Sequence, residues 1–275
     1  LFRIKALISF GSVEAGELGG YVAKEGNLSH EGNAWVYDNA RVYGNARVSD
    51  NARVYGNARV SDNAWVYGDA EVCGDAEVSD NAWVYGDAEV SDNARVYGDA
   101  EVCGDAEVSD NARVYGDAEV CGDAEVSDNA RVYGDAEVYG NAWVYDNARV
   151  YGDARVYGDA EVYGDAWVYG NARVYGDAEV YGDAWVYGDA RVYGDAEVCG
   201  DARVKSLKDY IVFKNNWSSG RYFTYTKSNK MWKAGCFYGA GQELINEAYE
   251  DSENSGKHYE AYVKFVEMLE ELENE

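Results

Sequence analysis

The sequence contains no proline, two histidines and five cysteines without a CxxC pair. Neither histidine lies between residues 31 and 257. A structural or catalytic zinc site needs clustered His and Cys ligands, and acid–base or nucleophilic catalysis needs an oriented imidazole or an equivalent group. P-loop and dinucleotide-binding glycine motifs are also missing. We therefore expect no enzymatic activity, no catalytic residue, no metal site and no cofactor.

Long apolar runs are absent as well. No segment has the length of a membrane span or the pattern of a signal peptide, so the sequence predicts a cytoplasmic protein with no membrane partner. The formal net charge is −27. This sign disfavours direct binding to nucleic acid, whose backbone is itself negative.

One short unit, Asn/Asp-Ala-x-Val-x-x, fills the middle of the chain. Alanine occupies every sixth position from Ala34 to Ala202 and valine every sixth from Val36 to Val204, which gives 29 units. Residues two apart in a strand point to the same side, so Ala and Val form one apolar face. Gly, Asp and Asn in the last positions favour turns. The sequence therefore predicts a solenoid of short strands joined by tight corners.

The number of sides follows from the outward positions. Residues 91–108 and 109–126 are identical, so the residues at the outward positions repeat after three units. Like residues recur at this 18-residue step, as in the six tyrosines from Tyr97 to Tyr187. We therefore predict three-sided 18-residue coils in register, around an axis that is packed with Ala and Val and leaves no cavity.

The wording of the unit, as in NARVYGDAEVYG, resembles the hexapeptide repeat of left-handed parallel β-helix proteins, the fold of the trimeric acyltransferase superfamily. With the N-terminal LFRIKAL and AGELGGYV, it is more similar to uncharacterised hexapeptide-repeat proteins of bacteria and prophages. The resemblance implies an all-β solenoid, a left-handed parallel β-helix, although crossover sterics favour the opposite hand. The acyltransferases commonly use a His near the coils and a loop that breaks the repeat. This chain has neither between residues 33 and 206, so acyl transfer is the disfavoured alternative.

The flanking segments differ in composition. Residues 1–32 are predicted to be a lead-in and a capping coil, in which Leu18 and His30 fall at inward phases. Residues 33–206 form the repeat. Residues 207–275 are predicted to be a small α+β C-terminal module of three strands and two helices that covers the other end, with Cys236 in its core.

The cysteines of the repeat occupy outward positions. Cys103 and Cys121 lie one coil apart, close enough for a disulfide. Because a reducing cytoplasm keeps thiols free, free cysteines are the expectation.

Charged and aromatic side chains form columns at the 18-residue step. A Glu column lies on one side and an Arg column on the next, and paired tryptophans also point outward. Exposed aromatic arrays are typical of interaction surfaces. The candidate partner-binding residues are Glu71, Glu89, Glu107, Glu125, Arg95, Arg113, Arg131, Trp65, Trp83, Trp167 and Trp185.

Two kinds of function fit these columns. The first is a structural or interaction protein, a rigid acidic rod that binds a protein partner or itself. The Glu side of one copy against the Arg side of another would be a heterologous contact, which forms a ring such as a trimer or a filament. The alternative is an acidic mimic of nucleic acid that inhibits a DNA-binding protein, as in phage systems.

Overall fold

The computed structural model describes residues 1–273 and is built around a parallel β-solenoid. Each strand of the repeat pairs in parallel with the strand three units further on, as in Arg95↔Arg113 and Glu89↔Glu107. The three sheets that result confirm the predicted 18-residue coils. The handedness implied by the resemblance stays a prediction.

The three sides are named face 1, face 2 and face 3 in the order in which the repeat enters them. The strands of face 1 are Trp35–Val36, Arg53–Val54, Glu71–Val72, Glu89–Val90, Glu107–Val108, Glu125–Val126, Trp143–Val144, Glu161–Val162, Glu179–Val180 and Glu197–Val198. The strands of face 2 are Phe2–Lys5, Leu18–Val22, Arg41–Val42, Arg59–Val60, Glu77–Val78, Arg95–Gly98, Arg113–Gly116, Arg131–Gly134, Arg149–Gly152, Trp167–Tyr169, Trp185–Val186 and Arg203–Val204. The strands of face 3 are Arg47–Val48, Trp65–Val66, Trp83–Val84, Glu101–Gly104, Glu119–Gly122, Glu137–Gly140, Arg155–Gly158, Arg173–Gly176 and Arg191–Tyr193.

The axis of the solenoid is filled by the two small residues of the repeat. From Ala40 to Val204 these alanines and valines are at most 1% exposed. Burying a Val side chain contributes about 1.5–3 kcal/mol, so the stability of the rod comes from many small equal increments. The predicted packed axis is confirmed.

The corners need a left-handed residue. Gly116 has φ +80°, and a Cβ added there would lie 2.9 Å from the backbone nitrogen of Gly134 in the next coil. Aspartate takes the same conformation at other corners, for example Asp146 with φ +60°. Its Oδ2 accepts a hydrogen bond from the N–H of Gly164 one coil on, at 3.1 Å. The carboxylate therefore satisfies a corner donor while the short side chain tolerates the left-handed backbone.

The two ends of the solenoid expose opposite hydrogen-bonding groups. Each coil donates its N–H groups to carbonyls of the next coil, as in Arg95 N–H to Ala112 O at 3.0 Å. The N-terminal end therefore presents free carbonyls and the C-terminal end free N–H groups. Buried groups of this kind must be paired.

At the N-terminal end the missing donor is a side chain. Asn27, which is fully buried, donates from Nδ2 to Ala46 O at 2.8 Å. Its Oδ1 accepts from the N–H groups of Ala23 and Lys24. The strand Phe2–Lys5 then pairs antiparallel with Leu18–Val22 and covers that sheet edge.

This arrangement overturns two inward placements. Val22 and Leu28 pair with Val42 and Val48, twenty residues further on and not eighteen, so this coil has two extra residues between Ser29 and Asn33. His30 lies in that insertion and is exposed, with its Nε2 3.2 Å from Glu25 Oε1. Leu18 is 55% exposed, because the antiparallel first strand replaces a regular coil at this point.

Changing Asn27 to Asp tests this cap. The substitution removes the donor to Ala46 O and places a carboxylate against buried carbonyls, and an unsatisfied buried group costs about 1–3 kcal/mol. We expect the free energy of unfolding in urea to fall by about 2 kcal/mol. Asn45→Asp, at an exposed corner, is the matched control and should change it little. Equal effects of the two substitutions would contradict a capping role.

The C-terminal module has four strands, not the three predicted: Tyr210–Lys214, Tyr222–Thr226, Met231–Ala234 and Phe237–Ala240. The segment MWKAGCF bends at Gly235, which has φ +60°, and makes a hairpin of what the sequence predicted as one strand. Cys236 lies in that turn and is exposed, so its predicted core position is wrong.

Two helices follow, α1 (Gly241–Asp251) and α2 (Glu253–Glu273). They pack on the sheet around Phe223, Trp232 and Leu244. The module covers the C-terminal end of the solenoid with acceptors. Thr224 Oγ1 accepts from Glu197 N–H at 2.9 Å, and Ser228 Oγ accepts from Arg203 N–H at 2.7 Å.

Candidate interaction surface

Face 1 carries the predicted Glu column. Glu71, Glu89, Glu107 and Glu125 pair residue on residue in adjacent strands. Tyrosines of the preceding coil support several carboxylates of this face, the closest of them at 2.8–2.9 Å: Tyr55 OH donates to Glu71, and Tyr163 OH to Glu179. The middle of the column, at Glu107 and Glu125, lies in coils where serine replaces tyrosine.

The middle carboxylates repel one another. Partial burial raises the pKa of Glu125 above its usual value, and the carboxylates of Glu107 and Asp110 raise it further. Because the folded-state pKa lies above the unfolded value, the ionised form opposes folding at neutral pH, and protonation on acidification removes this effect.

Glu125→Gln is therefore expected to stabilise the protein at pH 7, by less than about 1 kcal/mol because the site is partly exposed. The gain should shrink as the pH falls toward the unfolded-state pKa of about 4.3. Urea midpoints measured between pH 7 and pH 4 check this. Glu161→Gln is the control, since Glu161 stacks between Trp143 and Glu179 and accepts a hydrogen bond from Tyr145. A gain at Glu125 that is constant with pH would exclude the electrostatic explanation.

Face 2 carries the predicted Arg column beside stacked tyrosines. Arg95, Arg113 and Arg131 pair in register. Arg95 reaches Glu77 at 3.6 Å, whereas Arg113 and Arg131 form no ion pair with any residue that the structure describes. The tyrosines of the neighbouring column, from Tyr97 to Tyr187, stack with ring centroids 4.9–5.3 Å apart.

The tryptophans of face 2 are covered on both sides. Trp167 and Trp185 stack at 5.1 Å, with Arg149 4.9 Å from the first ring and Arg203 3.9 Å from the second. Their ring faces are therefore occupied within the chain, and a partner can reach only the ring edges. Cation–π contacts of this kind fix the side chains in place.

Face 3 differs from the other two along its length. Trp65 and Trp83 meet edge to face at 6.0 Å, and Trp83 is 40% exposed. The next six strands carry an acidic block followed by a basic block, which the sequence-based site prediction missed: Glu101, Glu119, Glu137, Arg155, Arg173 and Arg191. The 18-residue step contains this block pattern, but the pattern becomes visible only when each outward residue is assigned to its face.

Face 3 also holds a disulfide. Cys103 and Cys121 occupy paired positions with Cα atoms 4.6 Å apart, and their sulfurs are bonded. The expectation of free thiols is therefore wrong for this pair, because in-register stacking brings the two side chains together. Cys73, Cys199 and Cys236 are free.

Within residues 1–273, no group of three or more His, Cys, Asp or Glu side chains could hold a metal ion. Neither of the two α-helices described there could cross a membrane.

Comparison with known proteins supports the repeat. The family model described as YdcK beta solenoid repeat matches in overlapping windows at residues 34–50, 40–53, 46–58, 52–68, 142–158, 148–164, 154–170, 166–182 and 172–188. The chain is thus similar to a β-solenoid repeat family over these segments. No curated protein matches the chain.

Proposed function

We propose that this protein is a non-enzymatic structural or interaction protein, a rigid acidic rod whose faces bind a protein partner or another copy. The main support is the segregation of charge between two faces. Face 1 carries a column of carboxylates, and face 2 carries the guanidinium groups of Arg113 and Arg131. These two guanidinium groups have no ion-pair partner within residues 1–273. Like charges about 4.8 Å apart repel by about 1 kcal/mol even in water. The members of these columns that lack a partner within the chain do not stabilise the fold, so an interaction that neutralises them explains their presence.

Support also comes from what the chain leaves available. The axis is filled with Ala and Val, so the outer surface is where a ligand can bind. The match to a β-solenoid repeat family fits a structural or interaction role.

The test is capture of protein partners from bacterial lysate by the full chain, followed by identification and reconstitution with the purified partner. Arg113→Gln with Arg131→Gln should weaken a partner that binds face 2, and the binding should fall with salt because the contact is charged. Lys257→Gln with Lys264→Gln, on α2, removes the same charge as a control. Absence of both a reconstituted partner and self-association would contradict the proposal.

A second candidate is mimicry of nucleic acid. Face 1 carries a Glu and its following corner an Asp in each of several consecutive coils, as at Glu107 and Asp110. B-DNA carries one charge per about 1.7 Å, and a rod with several carboxylates per coil approaches that density. If glutamine at Glu71, Glu89, Glu107 and Glu125 leaves capture of DNA-binding proteins unchanged, mimicry is excluded.

The cellular compartment of the protein is also part of this proposal. The sequence predicts a cytoplasmic protein, whereas disulfides persist mainly in oxidising compartments. Alkylation of free thiols in intact cells, followed by mass spectrometry of Cys103 and Cys121, decides between them.

A further inference from the structure

Face 3 carries two charge blocks of equal length. In six consecutive strands the outward side chain is first acidic three times and then basic three times, from Glu101 to Arg191. All six residues share one column, because their strands pair in register at the 18-residue step.

Within one chain these charges are poorly compensated. Arg155 and Glu137 form an ion pair at 2.8 Å where the blocks meet. Arg173 and Arg191 form none with the residues that the structure describes. Glu119 stacks between Glu101 and Glu137, and its pKa is raised by partial burial and then by these two neighbours.

A second copy turned end over end neutralises every row of this column. Consider a twofold axis that lies in the interface and runs parallel to the strands. The second rod then runs in the opposite direction to the first, and the charge column of one copy still lies opposite the charge column of the other. Glu101 then faces Arg191 of the second copy, Glu119 faces Arg173, and Glu137 faces Arg155. By symmetry each pair occurs twice, and no row of this column brings like charges together. Both rods have the same coil spacing, so the match holds over all six rows.

From this complementarity we infer that face 3 binds face 3 of a second copy, antiparallel, in a symmetric dimer. The inference rests on the proposed interaction role and names the partner. An isologous contact closes on itself, which is the commonest arrangement of soluble oligomers.

The shape of face 3 favours this contact. The tyrosines beside the charge column stack with interplanar angles of 1° for Tyr139 on Tyr157 and 2° for Tyr157 on Tyr175, so the face twists little there. In the dimer this column meets its own symmetry copy, with Tyr139 opposite Tyr157. Trp65 and Trp83 lie beyond the overlap, beside the C-terminal end of the second copy.

The heterologous contact of face 1 with face 2 is less well matched when the coils are level. It places Arg53 opposite Arg59 and Glu71 opposite Glu77, two rows of like charge. In a pair joined this way, one copy still has a free face 1 and the other a free face 2. Further copies can therefore add, which gives a ring or a filament.

The overlap of six strands, each about four residues wide, covers on the order of 400 Å² per copy, half of the roughly 800 Å² of a standard interface. We therefore expect a weak dimer that is held by charge. It should form at low ionic strength, where the screening length is about 30 Å at 0.01 M, and dissociate near 1 M, where it is about 3 Å.

Sedimentation equilibrium of the full chain at these two salt concentrations tests the inference. The variant in which Arg155, Arg173 and Arg191 become Glu makes the whole column acidic, and its dissociation constant should rise roughly a hundredfold or more. A control with the same change in net charge replaces the exposed Arg41, Arg53 and Arg59 by Glu and should keep the dimer. Circular dichroism checks that each variant is folded.

A block exchange makes the test independent of misfolding. Combining those three Arg→Glu changes with Glu101→Arg, Glu119→Arg and Glu137→Arg reverses the order of the blocks and restores self-complementarity. We expect this six-residue variant to dimerise like the wild type. A wild type that is monomeric at low salt, or a block exchange that is folded and monomeric, would overturn the inference.

The remaining outcomes separate this inference from others. Loss of association on Arg95→Glu, Arg113→Glu and Arg131→Glu, with no effect of the face 3 variant, would replace the symmetric dimer by the contact of face 1 with face 2. A monomeric wild type that still binds an identified protein through face 1 or face 2 would overturn the dimer while leaving the proposed function in place.

Discussion

Replacing Val144 by aspartate is expected to remove several kcal/mol of stability, whereas the same change at the adjacent Trp143 is expected to have little effect. Val144 is 0% exposed and Trp143 is 48% exposed, although they are neighbours in one two-residue strand. A buried carboxylate without a partner costs several kcal/mol. The methyl-lined axis around Val144 offers neither a hydrogen-bond donor nor water.

The solenoid makes the consequence local and measurable. Each coil contacts mainly its two neighbours, so the stability of a repeat protein is close to a sum of nearest-neighbour contributions. An aspartate at residue 144 should therefore uncouple the coils on its two sides. Hydrogen exchange should show fast exchange around this position, and urea unfolding should lose its single cooperative transition.

Trp143→Asp keeps the backbone and the new side chain but places the carboxylate in water. If both variants unfold at the same urea concentration, the axis is not the source of stability. Acidification gives a second check. Protonation removes the buried charge, so Val144→Asp should recover part of its stability as the pH falls. Trp143→Asp should show a much smaller recovery, because its exposed carboxylate only repels the stacked Glu125 and Glu161 weakly.

The parts of the fold that repeat could be predicted from the sequence. Ala and Val two residues apart define the inside, and Cys103 and Cys121 or the tyrosines define the coil length, because both signals depend only on spacing. Side chains at equal steps are brought together whatever their chemistry. This is why the Glu column of face 1 and the Arg column of face 2 were predicted correctly as stacked sets.

The parts that do not repeat were predicted less well, for a physical reason. An end of the solenoid must satisfy free carbonyl or N–H groups, and the residue that does so is chosen by geometry. Asn27 serves at one end and Thr224 at the other, and no periodic pattern indicates either. His30 was misplaced because it lies in a two-residue insertion between Ser29 and Asn33 that shifts the phase, and Cys236 because Gly235 turns the chain back within an apolar segment.

The contacts between surface side chains could be predicted only in part from the sequence. Stacking was predicted, but hydrogen bonds such as Tyr163 to Glu179 join residues 16 apart, a step that the 18-residue search does not show. The self-complementary order of face 3 was missed for a similar reason. Its six residues alternate along the chain with those of faces 1 and 2, so their block pattern appears only after the sheets are assigned.

Reduction of the Cys103–Cys121 disulfide is the second change with a large expected effect. The two cysteines have a sequence separation of 18, so the bond closes a loop of one full coil and restricts the unfolded chain. For a loop of this length the chain-entropy estimate is about 3 kcal/mol. We expect the urea midpoint to fall on addition of dithiothreitol by an amount that corresponds to about this value.

The replacement Cys103→Ser with Cys121→Ser separates loss of the crosslink from altered packing. Serine stacks at the equivalent outward position of face 1 in Ser91 and Ser109, so the solenoid accepts a serine pair there. This variant should match the reduced wild type and be insensitive to dithiothreitol. Cys73→Ser leaves the crosslink intact and should keep the sensitivity. A reduced wild type as stable as the oxidised one would mean that register is maintained by backbone pairing and the Ala–Val axis alone, so that the disulfide only records the alignment the repeat has already imposed.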